Sequence, residues 1–160
     1  MIRQNMKRLR LIAGLVCVAW FFCGCGQSHD TAARELLKTA EIIPMVNQIE
    51  LQPGLNRNID CEYNAKLGIQ LEAWAPFRIG ESLNDPTVCK IAEKHSKTSA
   101  QIVLRWFLQK GIIPLPKSVT PERILSNIQV YDFELSDEDM TAINGIEQHP
   151  MRHDPDKIDF

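Results

Sequence analysis

The sequence has little that is typical of a nucleic-acid-binding or a disordered protein. Of its 160 residues, 18 are Lys or Arg and 20 are Asp or Glu, so the formal net charge is -2. This balance argues against a nucleic-acid binder that depends on bulk basic charge. Aromatic residues make up only 7% of the chain, but the hydrophobic fraction of 44% is far above that of disordered proteins. These fractions fit one ordinary globular domain.

The five cysteines form neither a disulfide framework nor a metal-binding pattern. No C-x-x-C pair occurs, and no histidine lies at zinc-binding spacing from the C-x-C of Cys23 and Cys25. We expect Cys61 and Cys89 to be small buried hydrophobic residues. His149 lies in a polar C-terminal stretch, where a solvated side chain is expected. The sequence therefore predicts no metal site, and it also contains no glycine-rich phosphate-binding loop.

The first thirty residues differ from the rest of the chain. Residues 1–22 contain four basic side chains and no acidic one, and an apolar run extends from Leu11 to Phe22. A basic segment before a short apolar run is typical of a secretory signal, and this run is too short to cross a membrane. The ending Phe22-Cys23-Gly24-Cys25 resembles a bacterial lipoprotein signal, in which Cys25 would carry the lipid anchor.

Two other interpretations of this leader remain open. The apolar run could be a buried strand or helix of the folded domain, or it could come from a frameshifted reading frame. We divide the chain into a signal-like or lipoprotein-like leader (1–30) and one domain (31–160). A functional leader would tether or export the protein.

From Thr31 onward, helical and strand patterns alternate along the chain. Short apolar segments that end in Pro or Gly predict strands, and capping residues before amphipathic periods predict helices. The predicted strands are 45–51, 69–74 and 112–116; the predicted helices are 32–40, 58–67, 86–95, 99–110 and two that begin near 120 and 136. Repeated βα units indicate parallel strands covered by helices, an α/β fold.

The segment from Pro116 to Asn127 predicts an anion-binding site. Lys117 and Ser118 follow a predicted strand, and a helix begins at Thr120. The free N–H groups of a helix N-terminus, beside a lysine and Arg123, favour a bound phosphate. The carboxyl end of a parallel strand is also where such folds bind ligands. The alternative is an ordinary capped helix with solvated charges.

Five sequence blocks resemble the aldo-keto reductases, in the order and spacing of that family. The resemblance covers roughly residues 36–146 and is nearest to the bacterial 2,5-didehydrogluconate reductase-like branch. The blocks are VNQIELQP (46–53), GIQLEAWAPF (68–77), SAQIVLRW (99–106), IPLPKSVTPER (113–123) and DFELSDEDM (132–140).

This resemblance implies a fold and an activity. The family folds as a (β/α)8 TIM barrel and reduces aldehydes and ketones with NADPH. Because a complete barrel takes about 250 residues, the resemblance implies a partial barrel here, the second half with strands 6 to 8 and their helices.

The resemblance also implies what this chain lacks. The family's catalytic Asp, Tyr, Lys and His come from the first half of the barrel, and nothing before Leu36 resembles that half. We therefore predict no catalytic residue and no carbonyl reduction by this chain alone. It would act on a carbonyl substrate only if the missing half were supplied, as in a split enzyme. Otherwise it would be a noncatalytic NADP(H)-binding module or a nonfunctional gene fragment.

Two further expectations follow from a partial barrel. Its open strand edges and exposed apolar side chains predict self-association. Because the family uses NADPH, the resemblance favours the cytoplasm, whereas a functional leader would place the chain at a membrane or outside the cell.

Carried over by position, two residues would bind the nicotinamide of NADP(H). Gln48 would hydrogen-bond the carboxamide, and Trp74 would stack on the ring, where many members have Tyr. Without the resemblance, Trp74 could be a core aromatic residue and Gln48 could satisfy backbone groups at a strand end.

The remaining carried-over residues would bind the adenosine end of the cofactor. Arg123 would pair with the 2′-phosphate or lie against adenine, and Asn127 would contact adenine. Ser126 stands where the family usually has a Glu that reaches adenine. The residues that would hold the 2′-phosphate itself are Lys117, Ser118, Val119 and Thr120.

Overall fold

The computed structural model describes residues 36–150, which form a three-stranded parallel sheet with helices against it. The strand order is β1-β2-β3, so β2 is central. An additional 3₁₀ segment covers Arg78–Asn84. The strands are β1 (Val46–Glu50), β2 (Gln70–Trp74) and β3 (Ile113–Pro114), and the helices are α1 (Asn58–Lys66), α2 (Pro86–His95), α3 (Ser99–Gln109), α4 (Pro121–Ile128) and α5 (Asp137–Asn144).

The helix starts follow from local capping chemistry. Asp85 Oδ1 accepts hydrogen bonds from the backbone N–H groups of Thr87 and Val88, and Pro86 occupies the first position of α2. Capping boxes begin α3 and α5, formed by the pairs Thr98/Gln101 and Ser136/Asp139. These three starts confirm the sequence predictions.

The hydrophobic core lies between one face of the sheet and helices α2, α3 and α5. Trp106 and Phe107 of α3 are fully buried at its centre. Cys61 packs against the core but is only half-buried, as is Cys89, so the expectation of two buried thiols is met in part. The core residues in the strands or directly next to them are Ile49, Leu51, Leu71, Ala73 and Ile112. Their alternation leaves the second face of the sheet for more polar residues.

Two predicted elements are shorter than the sequence suggested. Strand β3 has two residues instead of five, because Pro114 and Pro116 have no N–H to donate to a ladder. The Leu115 N–H still donates to the Ala73 carbonyl at 3.0 Å. Of the helix predicted at 32–40, the described part shows residues 36 and 37 as helical, followed by a turn.

The C-terminal segment packs onto the turn after β1. The His149 N–H donates to the carbonyl of Gly54 at 2.9 Å, and Gln148 Oε1 accepts from the Asn56 N–H. Gly54 has a φ of 82°, and a Cβ at this position would lie 2.6 Å from His149 Nε2. His149 is therefore half-buried against the turn rather than solvated as predicted.

The leader and its Cys25 lie outside the described residues. Among residues 36–150, no helix combines the length and apolar character that crossing a bilayer requires.

Candidate functional site

Gln48 and Trp74 lie on the same face of the sheet, opposite the core. Gln48, Glu72 and Trp74 are half-buried and occupy alternate strand positions, while Ile49 and Ala73 point into the core. In the parallel register Gln48 is opposite Glu72, and its Nε2 donates to Glu72 Oε2 at 3.0 Å. This bond fixes the orientation of the Gln48 amide. The structure thus brings the two predicted nicotinamide residues to one surface.

The loop after Trp74 has an unusual backbone. Ala75, Arg78 and Ile79 have φ values of 53°, 45° and 54°, in the left-handed region that favours glycine. Ile79 is β-branched, and its side chain is 80% exposed, so packing does not compensate for this conformation. Strained backbone of this kind clusters at ligand-binding sites. Sequence analysis missed the feature because none of these three residues is glycine.

Residues 117–120 lie in the loop between β3 and α4. This loop and Trp74 are both at the carboxyl ends of the parallel strands. Lys117 and Val119 are exposed, whereas Ser118 and Thr120 are half-buried. The Ser118 Oγ is buried and has no hydrogen-bond partner among the described residues. A buried hydroxyl without a partner is costly unless a ligand or water satisfies it. Together with the Lys117 cation, it is a suitable donor for an anion.

The start of α4 differs from the prediction in one respect. Thr120 is the N-cap residue and Pro121 occupies the first turn, as expected, but the Thr120 side chain makes no capping hydrogen bond. The N–H groups of the first turn are thus not bonded by that side chain. Arg123 is exposed in the same first turn, and its side chain makes no hydrogen bond or ion pair within residues 36–150. These groups can interact with an anion from solvent.

Asn127 lies beside Ser118 in a cavity of about 330 Å³ between α3 and α4. The rest of the lining is mainly apolar and includes Leu104, Leu108 and Ile124. A mostly apolar cavity with two polar side chains suits a flat heterocycle that also needs a few hydrogen bonds. The predicted adenine residue is therefore next to the predicted phosphate residues.

An ion-pair cluster between the C-terminal end of α2 and the N-terminal end of α5 was not predicted. Asp139 accepts from Lys94 Nζ at 2.9 and 3.0 Å and lies 2.8 Å from His95 Nε2. Burial raises the pKa of Asp139, but the hydrogen bonds from His95, Lys94 and Ser136 outweigh it and lower the pKa to about 2. Its partners are distant in sequence, so no local pattern could have revealed it. The cluster joins two helices and is structural.

Among the residues that the structure describes, no group of His, Cys, Asp or Glu is arranged to hold a metal ion. The candidate site consists of organic side chains alone: those of Gln48, Trp74 and the segment from Lys117 to Asn127.

The chain is similar to proteins of one known family. A sequence profile described as "Aldo/keto reductase family" matches residues 80–148. The glyoxal reductase of Bacillus subtilis (strain 168) is 46% identical over 127 residues, which are 79% of this chain and 46% of that protein. The chain belongs to the aldo/keto reductase family.

Solved structures of aldo/keto reductases agree with this assignment. A Gox0644 variant in complex with NADPH matches 82% of this chain and 49% of its own, at 39% identity and a TM-score of 0.77. MGS-M4, an aldo-keto reductase from a Medee basin deep-sea metagenome library, matches 81% of this chain and 50% of its own, at 40% identity and the same TM-score. The predicted α/β fold of a partial barrel is confirmed.

The chain spans about half the length of the curated relatives it matches. These relatives include proteins with different activities, because a morphine 6-dehydrogenase of Pseudomonas putida is 39% identical to the chain.

Proposed function

We propose that this chain is the NADP(H)-binding half of an aldo/keto reductase. The observation that carries the proposal is that Gln48 and Trp74 lie on neighbouring parallel strands, and that Lys117 lies in the loop after the third strand. Ligands of parallel α/β folds bind at the carboxyl ends of the strands. The structural relative Gox0644 has been solved in complex with NADPH, which supports the same cofactor here.

The residues present fit the two ends of NADP(H). Gln48 offers an oriented amide and Trp74 an aromatic face for the nicotinamide. Lys117, the unpartnered hydroxyl of Ser118 and Arg123 offer positive charge and a hydrogen-bond donor for the 2′-phosphate.

The rest of the segment completes the adenosine side of the proposed site. The backbone at Val119 and Thr120 leads into the first turn of α4, and Asn127 lines the neighbouring cavity for adenine. When bound, NADPH would supply the hydride for reduction of an aldehyde or ketone.

We further propose that this half does not reduce carbonyls by itself. Carbonyl reduction needs a proton donor near the nicotinamide, and tyrosine serves this purpose in the family. Tyr63 is in α1, and Tyr131 is an exposed residue after α4, so neither is on the sheet face of Gln48 and Trp74. The chain then acts as a noncatalytic NADP(H)-binding module unless the complementary half is present.

A fluorescence titration of NADPH and NADH against the purified chain tests the proposal. We expect NADPH to bind about tenfold or more tightly, because charge-assisted bonds to the 2′-phosphate contribute about 1.5–3 kcal/mol each before ordering costs. Lys117→Ala should remove the preference, whereas Lys90→Ala, an exposed lysine on α2, should not. Equal affinity for both cofactors in the wild type would contradict the proposal, and steady NADPH oxidation with an added aldehyde would contradict the noncatalytic part.

Attachment to a membrane through Cys25 is a separate proposal, which rests on the sequence of the leader. Metabolic labelling with a fatty-acid probe should label the wild type and leave Cys25→Ser unlabelled. Unlabelled protein that retains Met1 would contradict it.

The exposed strand edges also lead us to propose that the isolated chain self-associates. Light scattering over a range of concentrations would show this as a rising mean mass. A compact monomer at every concentration would contradict it.

A further inference from the structure

Glu72 lies next to both of the proposed nicotinamide residues. In the parallel register it is opposite Gln48, and on β2 it is two residues before Trp74. Because successive side chains of a strand point to opposite faces, Glu72 shares the face of Trp74 and is turned away from the core residue Ala73. Glu72 is half-buried, as are Gln48 and Trp74. A group that contacts the Gln48 amide therefore also lies near the carboxyl group of Glu72.

The bond between these two side chains determines which atom of Gln48 is left for a ligand. Gln48 Nε2 donates to Glu72 Oε2 at 3.0 Å. A carboxylate has acceptors only, so the reverse orientation of the amide would place two acceptor oxygens against each other. Within residues 36–150, Gln48 Oε1 makes no hydrogen bond. The amide held by Glu72 thus presents an acceptor to a ligand.

This face of the sheet also carries negative charge. Glu50 follows Gln48 by two residues on the same face of β1 and is buried, and its Oε1 accepts from Gln52 Nε2 at 3.3 Å. None of the ion pairs among the described residues includes Glu72. Two carboxyl groups on a largely buried face disfavour a further negative charge beside them.

We infer that Glu72 is a positioning residue, which makes the nicotinamide end of the proposed site selective for a neutral carboxamide over a carboxylate. This inference rests on the proposed function. A carboxamide has an NH2 group that can donate to Gln48 Oε1, whereas a carboxylate has only acceptors. A carboxylate would face both the Oε1 acceptor and the charge of Glu72. The site therefore discriminates against dinucleotides that carry nicotinic acid in place of nicotinamide.

Calorimetric titration of the full chain with NADP+ and with its nicotinic acid analogue, nicotinic acid adenine dinucleotide phosphate, tests this selectivity. The two ligands differ only in the carboxamide or carboxylate group. We expect the wild type to bind the analogue at least about tenfold more weakly, because an acceptor would face an acceptor next to a like charge.

The variant Glu72→Gln isolates the role of Glu72. Its side chain keeps the shape of glutamate but has a donor as well as an acceptor, so the Gln48 amide can turn and present its N–H. The preference for NADP+ should fall below about threefold through tighter binding of the analogue, a gain that loss of folding cannot produce. The matched control Glu93→Gln removes the same charge from the exposed surface of α2 and should keep the wild-type ratio.

A measurement without any dinucleotide tests the bond itself. In 15N–1H spectra, the side-chain amide signal of Gln48 is identified by its absence in Gln48→Ala. We expect one of its protons to be shifted downfield in the wild type, as in an amide bonded to a carboxylate, and this shift to be absent in Glu72→Ala.

The inference is separable from the proposed function. Equal wild-type affinity for NADP+ and the analogue, an unchanged ratio in Glu72→Gln, or an unshifted Gln48 amide would overturn the inference alone. A wild type that binds neither dinucleotide would overturn the proposed function, and the inference with it.

Discussion

The indole N–H of Trp106 donates to Oδ1 of Asn144 at 3.0 Å, which joins the centre of α3 to the last residue of α5. Trp106 is fully buried, whereas Asn144 lies at the protein surface. The backbone carbonyl of Asn144 also accepts from Asn56 Nδ2 at 2.7 Å, so the end of α5 is tied to the turn after β1 as well. The last residue of α5 thus contacts both the buried indole of α3 and the segment after β1.

Replacement of Asn144 by Ala should destabilise the domain by about 1–2 kcal/mol, because the indole N–H of Trp106 would lose its partner while the backbone bond from Asn56 remains. Urea denaturation followed by tryptophan fluorescence measures the loss. Thr141→Ala, an exposed change on the same helix, should cost less than about 0.5 kcal/mol. Equal losses for the two variants would argue against the importance of this bond.

The Asp139 cluster predicts a loss of stability in acid. The pKa of Asp139 is about 2 in the folded protein, below its ordinary value of 3.8. Its stabilising contribution is therefore present above pH of about 4 and is lost as the pH falls toward 2. Because Lys94 is half-exposed, we expect only about 1 kcal/mol from this group.

Urea unfolding at pH 5 and at pH 2.5 measures this contribution. Asp139→Asn removes the titrating carboxyl group, so the variant should be less stable at pH 5 and should lose less stability than the wild type on acidification. Parallel pH profiles for the two proteins would show that Asp139 contributes no such linkage.

The two ends of the proposed cofactor site should be separable with fragments of NADP. Lys117→Ala should weaken binding of 2′,5′-ADP by about tenfold, since its cation faces the phosphate in the proposed site. Gln48→Ala should leave 2′,5′-ADP unaffected and weaken NADPH, because the amide held by Glu72 would contact only the nicotinamide. Calorimetric titration of both ligands tests this, and a loss of 2′,5′-ADP binding in Gln48→Ala would contradict it.

The strained loop after β2 predicts a stabilising substitution. Ile79 adopts a φ of 54° with little packing, so Ile79→Gly should raise the midpoint of thermal unfolding through a gain of about 1 kcal/mol. Gly80→Ala, next to it at a φ of 91°, should lower the midpoint. Calorimetry on the two variants measures both signs, and a lower midpoint for Ile79→Gly would show that the side chain contributes a contact.

Local chemistry explains what could be predicted from the sequence. Asp85, Thr98 and Ser136 begin helices because their side chains bond to N–H groups only two or three residues away. The alternation of Ile49 and Ala73 with polar neighbours likewise identifies the buried face of the sheet.

Features that depend on tertiary structure could not be predicted in this way. The bond between Gln48 and Glu72 requires the register of two strands, and the contacts of Asp139 with Lys94 and His95 require the packing of two helices. The positive φ of Ile79 is imposed by the path of the chain against its own propensity. The resemblance to a known family supplied Gln48, Trp74 and Asn127 as candidates, but the side-chain partners of such residues depend on the tertiary structure.

Gly54 carries a hydrogen atom where every other residue has a Cβ, and this small size allows His149 to pack against the turn after β1. Any L-amino acid at position 54 would place a Cβ 2.6 Å from the imidazole and 2.9 Å from the carbonyl oxygen of Glu147. A Gly54→Ala substitution should therefore displace residues 147–149 from the turn after β1. Glu147 and His149 also line a groove beside Arg78 and Ser82, in the loop after β2, so a single added methyl group after the first strand would open this groove.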